Sequence, residues 1–137
     1  MMDRRTLLTG AAAAALFAPA AFAASDATMA AMMEFTGGAE PAEGGVTLTA
    51  PEIAENGNTV PIEVSAPGAQ SITIFADGNP LPGVATFEFG PLSAEQFAST
   101  RIRLARTQDL IAVAKMQDGS FQTASATVKV TIGGCGG

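Results

Sequence analysis

The chain has no histidine, no tryptophan and a single cysteine in 137 residues. Without histidine it lacks the commonest general base and the commonest metal ligand. One cysteine cannot close an internal disulfide, so its thiol is free, joined to another chain, or chemically loaded. Without tryptophan and a cysteine pair, the hallmark core of an antibody domain is excluded. Positive charge is also scarce, with 7 basic against 13 acidic residues. That balance repels nucleic acid and anionic lipid while favouring solubility. The glycines fall in turns, a linker and a tail, and none forms a phosphate-cradling loop. The one long apolar run, Leu7 to Ala23, is mostly alanine and is interrupted by Gly10 and Pro19, which makes it a poor membrane-spanning helix.

That run reads as part of an export signal. Asp3-Arg4-Arg5-Thr6-Leu7-Leu8 opens with paired arginines, and Ala21-Phe22-Ala23 has the small-x-small pattern of a cleavage site. The expectation is a twin-arginine signal over residues 1–23, removed after Ala23, with the remainder delivered to the periplasm. Removing Asp3, Arg4 and Arg5 from 13 acidic and 7 basic residues leaves 12 and 5, a balance of −7. The twin-arginine route moves folded proteins, so a partner without its own signal could travel with this one.

Residues 24–45 read as a short helix and a linker. Asp26 to Phe35 spaces alanine and methionine compatibly with a helix that Ser25 would cap. Gly37-Gly38 ends it, and the polar stretch Gly37 to Gly45 follows. Met29, Met32 and Met33 could suggest a soft-metal site, but a packing face fits them better, methionine being a common gap-filler.

From Val46 the pattern changes to period two. Val46 and Leu48 alternate with threonine, and then Pro51 and the polar Glu55-Asn56-Gly57-Asn58 make a turn. Val60, Ile62 and Val64 define a half-buried strand in which Pro61 implies a sheet edge. Ile72, Ile74 and Ala76 give the next strand, and Phe87-Glu88-Phe89 lies in another. Leu92 to Thr100 fits a helical turn or a loop. Arg101 to Arg106 alternates arginine with apolar residues, and Leu110 to Met116 is apolar enough for a central strand. Asp118-Gly119 signals a hairpin. The final strand would turn Val128, Val130 and Ile132 inward and Thr127, Lys129 and Thr131 outward. About seven short strands separated by glycine and proline turns predict an all-β protein over residues 46–132. The expected fold is an immunoglobulin-like antiparallel β-sandwich, preceded by the short helix and followed by a flexible glycine arm over 133–137.

The arm, Gly133-Gly134-Cys135-Gly136-Gly137, holds the only cysteine. Four glycines make a tether that resists ordering, and five extended residues span at most roughly 16–18 Å. With Ile132 read as the end of a core strand, the tether would leave the sheet directly. A thiol ionises near pH ~8.5 and needs a cation, a helix N-terminus or a base to become a nucleophile at neutral pH. The neighbours here are glycines and a terminal carboxylate, which disfavours the thiolate. The arm therefore reads as a handle for cargo, with chemistry supplied elsewhere. Glu52, Glu55 and Glu63 read as solvated surface. Arg101, Arg103 and Arg106 form the one basic patch, either an ordinary solvent face, a partner contact or a transient seat for an anionic adduct.

The acidic exported chain, the stretch Pro51-Glu52-Ile53-Ala54-Glu55-Asn56-Gly57-Asn58-Thr59-Val60-Pro61 and the terminal Gly-Gly-Cys-Gly-Gly together resemble the SoxY family of thiosulfate-oxidation carrier subunits. The resemblance implies that Cys135 holds sulfur intermediates covalently on the arm formed with Gly133, Gly134, Gly136 and Gly137. It also implies a non-catalytic subunit with no cofactor and no metal, joined in a heterodimer to a SoxZ-like β-sandwich. A c-type cytochrome pair would attach thiosulfate as an S-thiosulfonate, a hydrolase would release sulfate, and a sulfane dehydrogenase would oxidise the remaining sulfur. Two other readings stand beside it. A thiol-disulfide or metal-handling protein would need a second cysteine or a histidine cluster. A structural periplasmic sandwich would dimerise through a Cys135 disulfide.

Overall fold

The computed structural model describes residues 25–132. The signal read over residues 1–23 and the arm 133–137 lie outside the described residues. Among the described residues one helix, α1 (Asp26–Thr36), precedes nine strands. These are β1 (Ala42–Glu43), β2 (Thr47–Thr49), β3 (Ile53–Ala54), β4 (Val60–Ser65), β5 (Ala69–Ala76), β6 (Gly83–Glu88), β7 (Phe97–Ile102), β8 (Gln108–Met116) and β9 (Phe121–Val130). One sheet runs β1-β9-β8-β5-β6, with β3 also on β9, and the other runs β2-β4-β7. The two sheets form the immunoglobulin-like sandwich that the alternation predicts.

The apolar run in β8 has a simple cause. Leu110, Ala112 and Ala114 point into the core between the sheets, where they meet Ile72, Ile74, Val60, Ile62, Val64, Leu104 and Val128. Ile111 and Val113 point the other way, to a second cluster with Phe75 and Phe121. Alternate residues of a strand face opposite sides, so a strand covered on both sides loses its polar positions.

The helix supplies that second cover. Ala31, Met32 and Phe35 pack on Phe75, Ile111, Val113 and Phe121. Phe35 meets Phe121 edge-on with ring centroids 5.8 Å apart, and Phe75 at 6.4 Å. Met29 and Met33 stay substantially exposed. Ser25 caps the helix, its hydroxyl accepting from the Thr28 N–H at 3.3 Å. Asp77 accepts from the Ser25 N–H at 2.9 Å and so ties the cap to the end of β5. Partial burial opposes ionisation of Asp77, but hydrogen bonds from Thr28 and Ser25 and the Arg106 charge outweigh it, holding the carboxyl below its ordinary value. Gly37, at φ 69°, closes the helix with its N–H on the Met33 carbonyl.

Several expectations from sequence need correction. Two of the nine strands, β1 and β3, have only two residues each, and both run parallel to β9. They lie in segments read as linker and turn, because two residues cannot display a period. Pro61 is not on an edge strand, since β4 sits between β2 and β7. The short β2 pairs only with residues 63–65 of β4, so Pro61 has a strand partner on the β7 side alone. Leu92 to Thr100 is a turn that passes into β7. The alternation from Arg101 to Arg106 outlasts its strand, which stops at Ile102. Leu104 is nonetheless fully buried. Ile132 is not the end of a core strand. β9 stops at Val130, and the Ile132 side chain is 66% exposed. The ladder with β8 ends at the Gln108–Val128 pair, so Ile132 lies beyond the reach of the strand that shields the rest of β9.

Candidate functional site: the C-terminal exit of the sandwich

Cys135 and its four flanking glycines fall outside the described residues, but the point from which they leave is defined. Beyond Val128 the chain changes partner, from β8 to the segment Glu52–Gly57. Ile53 and Ala54 pair in parallel with Lys129 and Val130. The Lys129 N–H donates to the Glu52 carbonyl at 2.9 Å, and the Thr131 N–H to the Ala54 carbonyl at 3.0 Å. The Thr131 hydroxyl donates to the Glu55 carbonyl at 3.0 Å. The Ile132 carbonyl accepts from the Gly57 N–H at 2.7 Å. On the opposite flank, the Thr107 hydroxyl accepts from the Val130 N–H at 2.8 Å. Every residue from Lys129 to Ile132 is thus held through its backbone, while the Lys129, Thr131 and Ile132 residues remain exposed.

The segment doing the holding is itself fixed. Asn56 accepts the Asn58 N–H on its side-chain oxygen at 3.0 Å, a local Asx turn. The Gly57 carbonyl accepts from the Leu104 N–H at 2.7 Å, so Gly57 bridges Ile132 and the buried Leu104. The stretch Pro51 to Pro61 and the C-terminal exit, far apart in sequence, therefore meet in space. Glu52 and Glu55 have exposed side chains and contribute through their carbonyls, while Glu63 is exposed on β4. Sequence reasoning misses this clasp. Its one signal is the Asn-Gly-Asn turn, whose buried Gly57 offers both an N–H and a carbonyl to neighbouring chain.

The three arginines separate in space. Arg106 lies beside Asp77 at the helix cap. Arg101 and Arg103 line a groove of about 480 Å³ with Asn58, Asn79, Leu81, Gly83, Val84 and Thr100. The Arg101 Nη1 donates to the Thr59 hydroxyl at 3.4 Å. Asn79, nearly buried, fixes the backbone behind them. Its Nδ2 donates to the Arg103 carbonyl at 2.8 Å, and its Oδ1 accepts from the Ala105 N–H at 3.0 Å and Gln108 Nε2 at 2.9 Å. Met29 and Met32 line a mostly apolar cleft beneath the helix. Among the described residues there is no group of three histidine, cysteine, aspartate or glutamate side chains able to hold a metal ion. No described helix is long and apolar enough to cross a membrane.

Fold and exit together define a two-sheet sandwich whose last strand is pinned just before a cysteine-bearing glycine segment. The chain belongs to the SoxY family, described as sulfur oxidation protein SoxY, which matches residues 32–135. It is similar to the sulfur carrier protein SoxY from Chlorobium limicola f thiosulfatophilum, at 36% identity and a TM-score of 0.66, covering 74% of this chain and 89% of that one. The superoxide reductase (neelaredoxin) from Ignicoccus hospitalis shares the sandwich at 19% identity and a TM-score of 0.56, over 64% of this chain and 80% of that one. That second likeness concerns the fold alone. No curated protein matches the chain.

Proposed function

We propose that this protein is a non-catalytic sulfur carrier of the periplasm, holding thiosulfate-derived intermediates on Cys135 and presenting them to partner enzymes. The observation that carries the reading is the family match, which extends to Cys135 itself. The pinned exit at Thr131 and Ile132 supports it, because a tether delivers cargo reproducibly only from a fixed base. Residues 1–23 act as the cleaved twin-arginine signal, 24–45 as helix and connection, 46–132 as the sandwich, and 133–137 as the arm with Gly133, Gly134, Gly136 and Gly137 as its hinge.

Loading joins the thiolate to the outer sulfur of thiosulfate: RS⁻ + S₂O₃²⁻ → RS–S–SO₃⁻ + 2e⁻, the electrons passing to a c-type cytochrome partner. Hydrolysis then breaks the bond to the sulfonate: RS–S–SO₃⁻ + H₂O → RS–S⁻ + SO₄²⁻ + 2H⁺. A sulfane dehydrogenase oxidises the persulfide that remains, and a SoxZ-like subunit completes the carrier as a heterodimer. None of these steps requires a base on this chain, which suits a protein without histidine.

Intact-mass analysis of the exported protein tests the reading. Thiosulfonate or added-sulfur adducts on the Cys135 peptide are expected, and they vanish in Cys135→Ser. That variant should abolish thiosulfate-dependent respiration with an unchanged melting temperature. Only bare thiol or disulfide-linked dimer would replace the carrier reading with that of a structural sandwich joined through Cys135.

A further inference from the structure

Met29, Met32 and Met33 are three of the six methionines in the chain, and all lie on α1. Positions three and four apart on a helix are surface neighbours, with Cβ atoms about 5–6 Å apart. Packing accounts for only one of them. Met32 joins Ala31 and Phe35 against the second cluster, whereas Met29 and Met33 are 47% and 56% exposed. All three line one small cleft of about 150 Å³. A lone exposed methionine needs no explanation, but two that share a cleft with a third form a set.

We propose that this cleft is a site for a thiophilic monovalent cation, Cu(I) or Ag(I), held by the sulfurs of Met29, Met32 and Met33. The inference stands independently of the carrier reading. Thioethers are soft donors of the kind that select Cu(I), in contrast to the carboxylates and carbonyls that suit magnesium or calcium. Methionine is unbranched with three rotatable bonds, so sulfurs rooted on adjacent turns can converge on one ion. The rest of the cleft is held by the backbone. Gly37 and Gly38, at φ 69° and 94°, turn the chain back at the end of α1, and both donate to the Met33 carbonyl. β1 then pairs with β9, so residues 38–41, which complete the lining, run between two anchored points.

The electrostatics favour a cation. α1 contains no lysine or arginine, and Met33 lies in its last turn, where the free carbonyl ends carry partial negative charge. Glu40 also lines the cleft, in a chain of net charge −6. The three sulfurs hold no proton, so the ion displaces none from them on binding, unlike a cysteine site.

Silver(I) nitrate titrated into the full chain carrying Cys135→Ser, in chloride-free buffer, tests the site without a competing thiol. One equivalent should shift the ε-methyl resonances of Met29, Met32 and Met33 together and leave Met116, at the end of β8, in place. Affinity should stay nearly flat between about pH 5.5 and 7.5, because the sulfur donors do not titrate. Saturation should raise the melting temperature, since the ion binds the folded turn and not the open chain. Met29→Leu or Met33→Leu alone should weaken binding about tenfold or more, a loss that even a change behind the ligands brings at a metal site. The triple leucine variant should bind no silver by calorimetry. Methionine and leucine are close in volume, so these variants should fold, and the methyl shifts of the unsubstituted helix decide the matter without them. Equal shifts at Met116, an unchanged affinity in the triple variant, or no saturable binding would overturn the site. Each of those results leaves the carrier reading standing, because Cys135 is absent from the test.

Discussion

The two ends of the described chain are attached to the same sheet by opposite means. At the N-terminal end, α1 is held by side chains. Phe35, Met32 and Ala31 sink onto the outer face of β5, β8 and β9, and the backbone contributes chiefly at the cap. At the C-terminal end, Lys129, Thr131 and Ile132 are held by backbone and hydroxyl hydrogen bonds to residues 52–57 and Val130 by the Thr107 hydroxyl, and the Ile132 side chain faces solvent. Burial tolerates changes of backbone but not of shape, whereas a hydrogen-bonded exit tolerates almost any side chain but fixes the path. The first suits a cover, the second a point of departure.

Three substitutions probe that contrast. Phe35→Ala should have the largest effect, about 2–3 kcal/mol of lost stability from burial and two edge-on ring contacts. Chemical denaturation measures it, and hydrogen exchange should show faster opening of α1 with the C-terminal exit little changed. Thr131→Val should cost about 1 kcal/mol by removing the hydroxyl bond to Glu55. Its signature is local, with faster amide exchange at Thr131 and Gly57 while α1 is unaffected. If Thr131→Val instead loosens the helix, the two attachments are one cooperative unit and the contrast fails. Asp77→Asn is the smallest effect and sharpens the cap. Folding lowers the Asp77 value below 3.8, so its contribution to stability is present above that pH and lost as pH falls through the folded value. The asparagine variant should show a flatter decline in melting temperature below about pH 4.

The sequence discloses what is periodic or compositionally abrupt. Val60, Ile62 and Val64 alternate because one face of β4 is buried, and Leu110 to Met116 runs apolar because β8 is covered on both sides. The glycine-cysteine segment stands out by composition alone. Periodicity does not register where a partner strand stops. That is why alternation extends the last strand to Ile132 and the arginine strand to Arg106. Nor can two-residue strands such as Ile53–Ala54 show a pattern, since their existence depends on β9, far along the chain. The exit clasp is hidden for the same reason. It is built from backbone groups, and backbone groups are nearly the same in every residue.

The parallel pairing of β3 with the end of β9 has a mechanical consequence. A pull on the chain beyond Ile132, directed along β9, loads the bonds to Glu52, Ala54 and Gly57 in shear, together with the antiparallel ladder to β8. Bonds loaded in shear yield collectively, whereas a peeled strand gives way one bond at a time. The sandwich can therefore bear tension applied at Ile132.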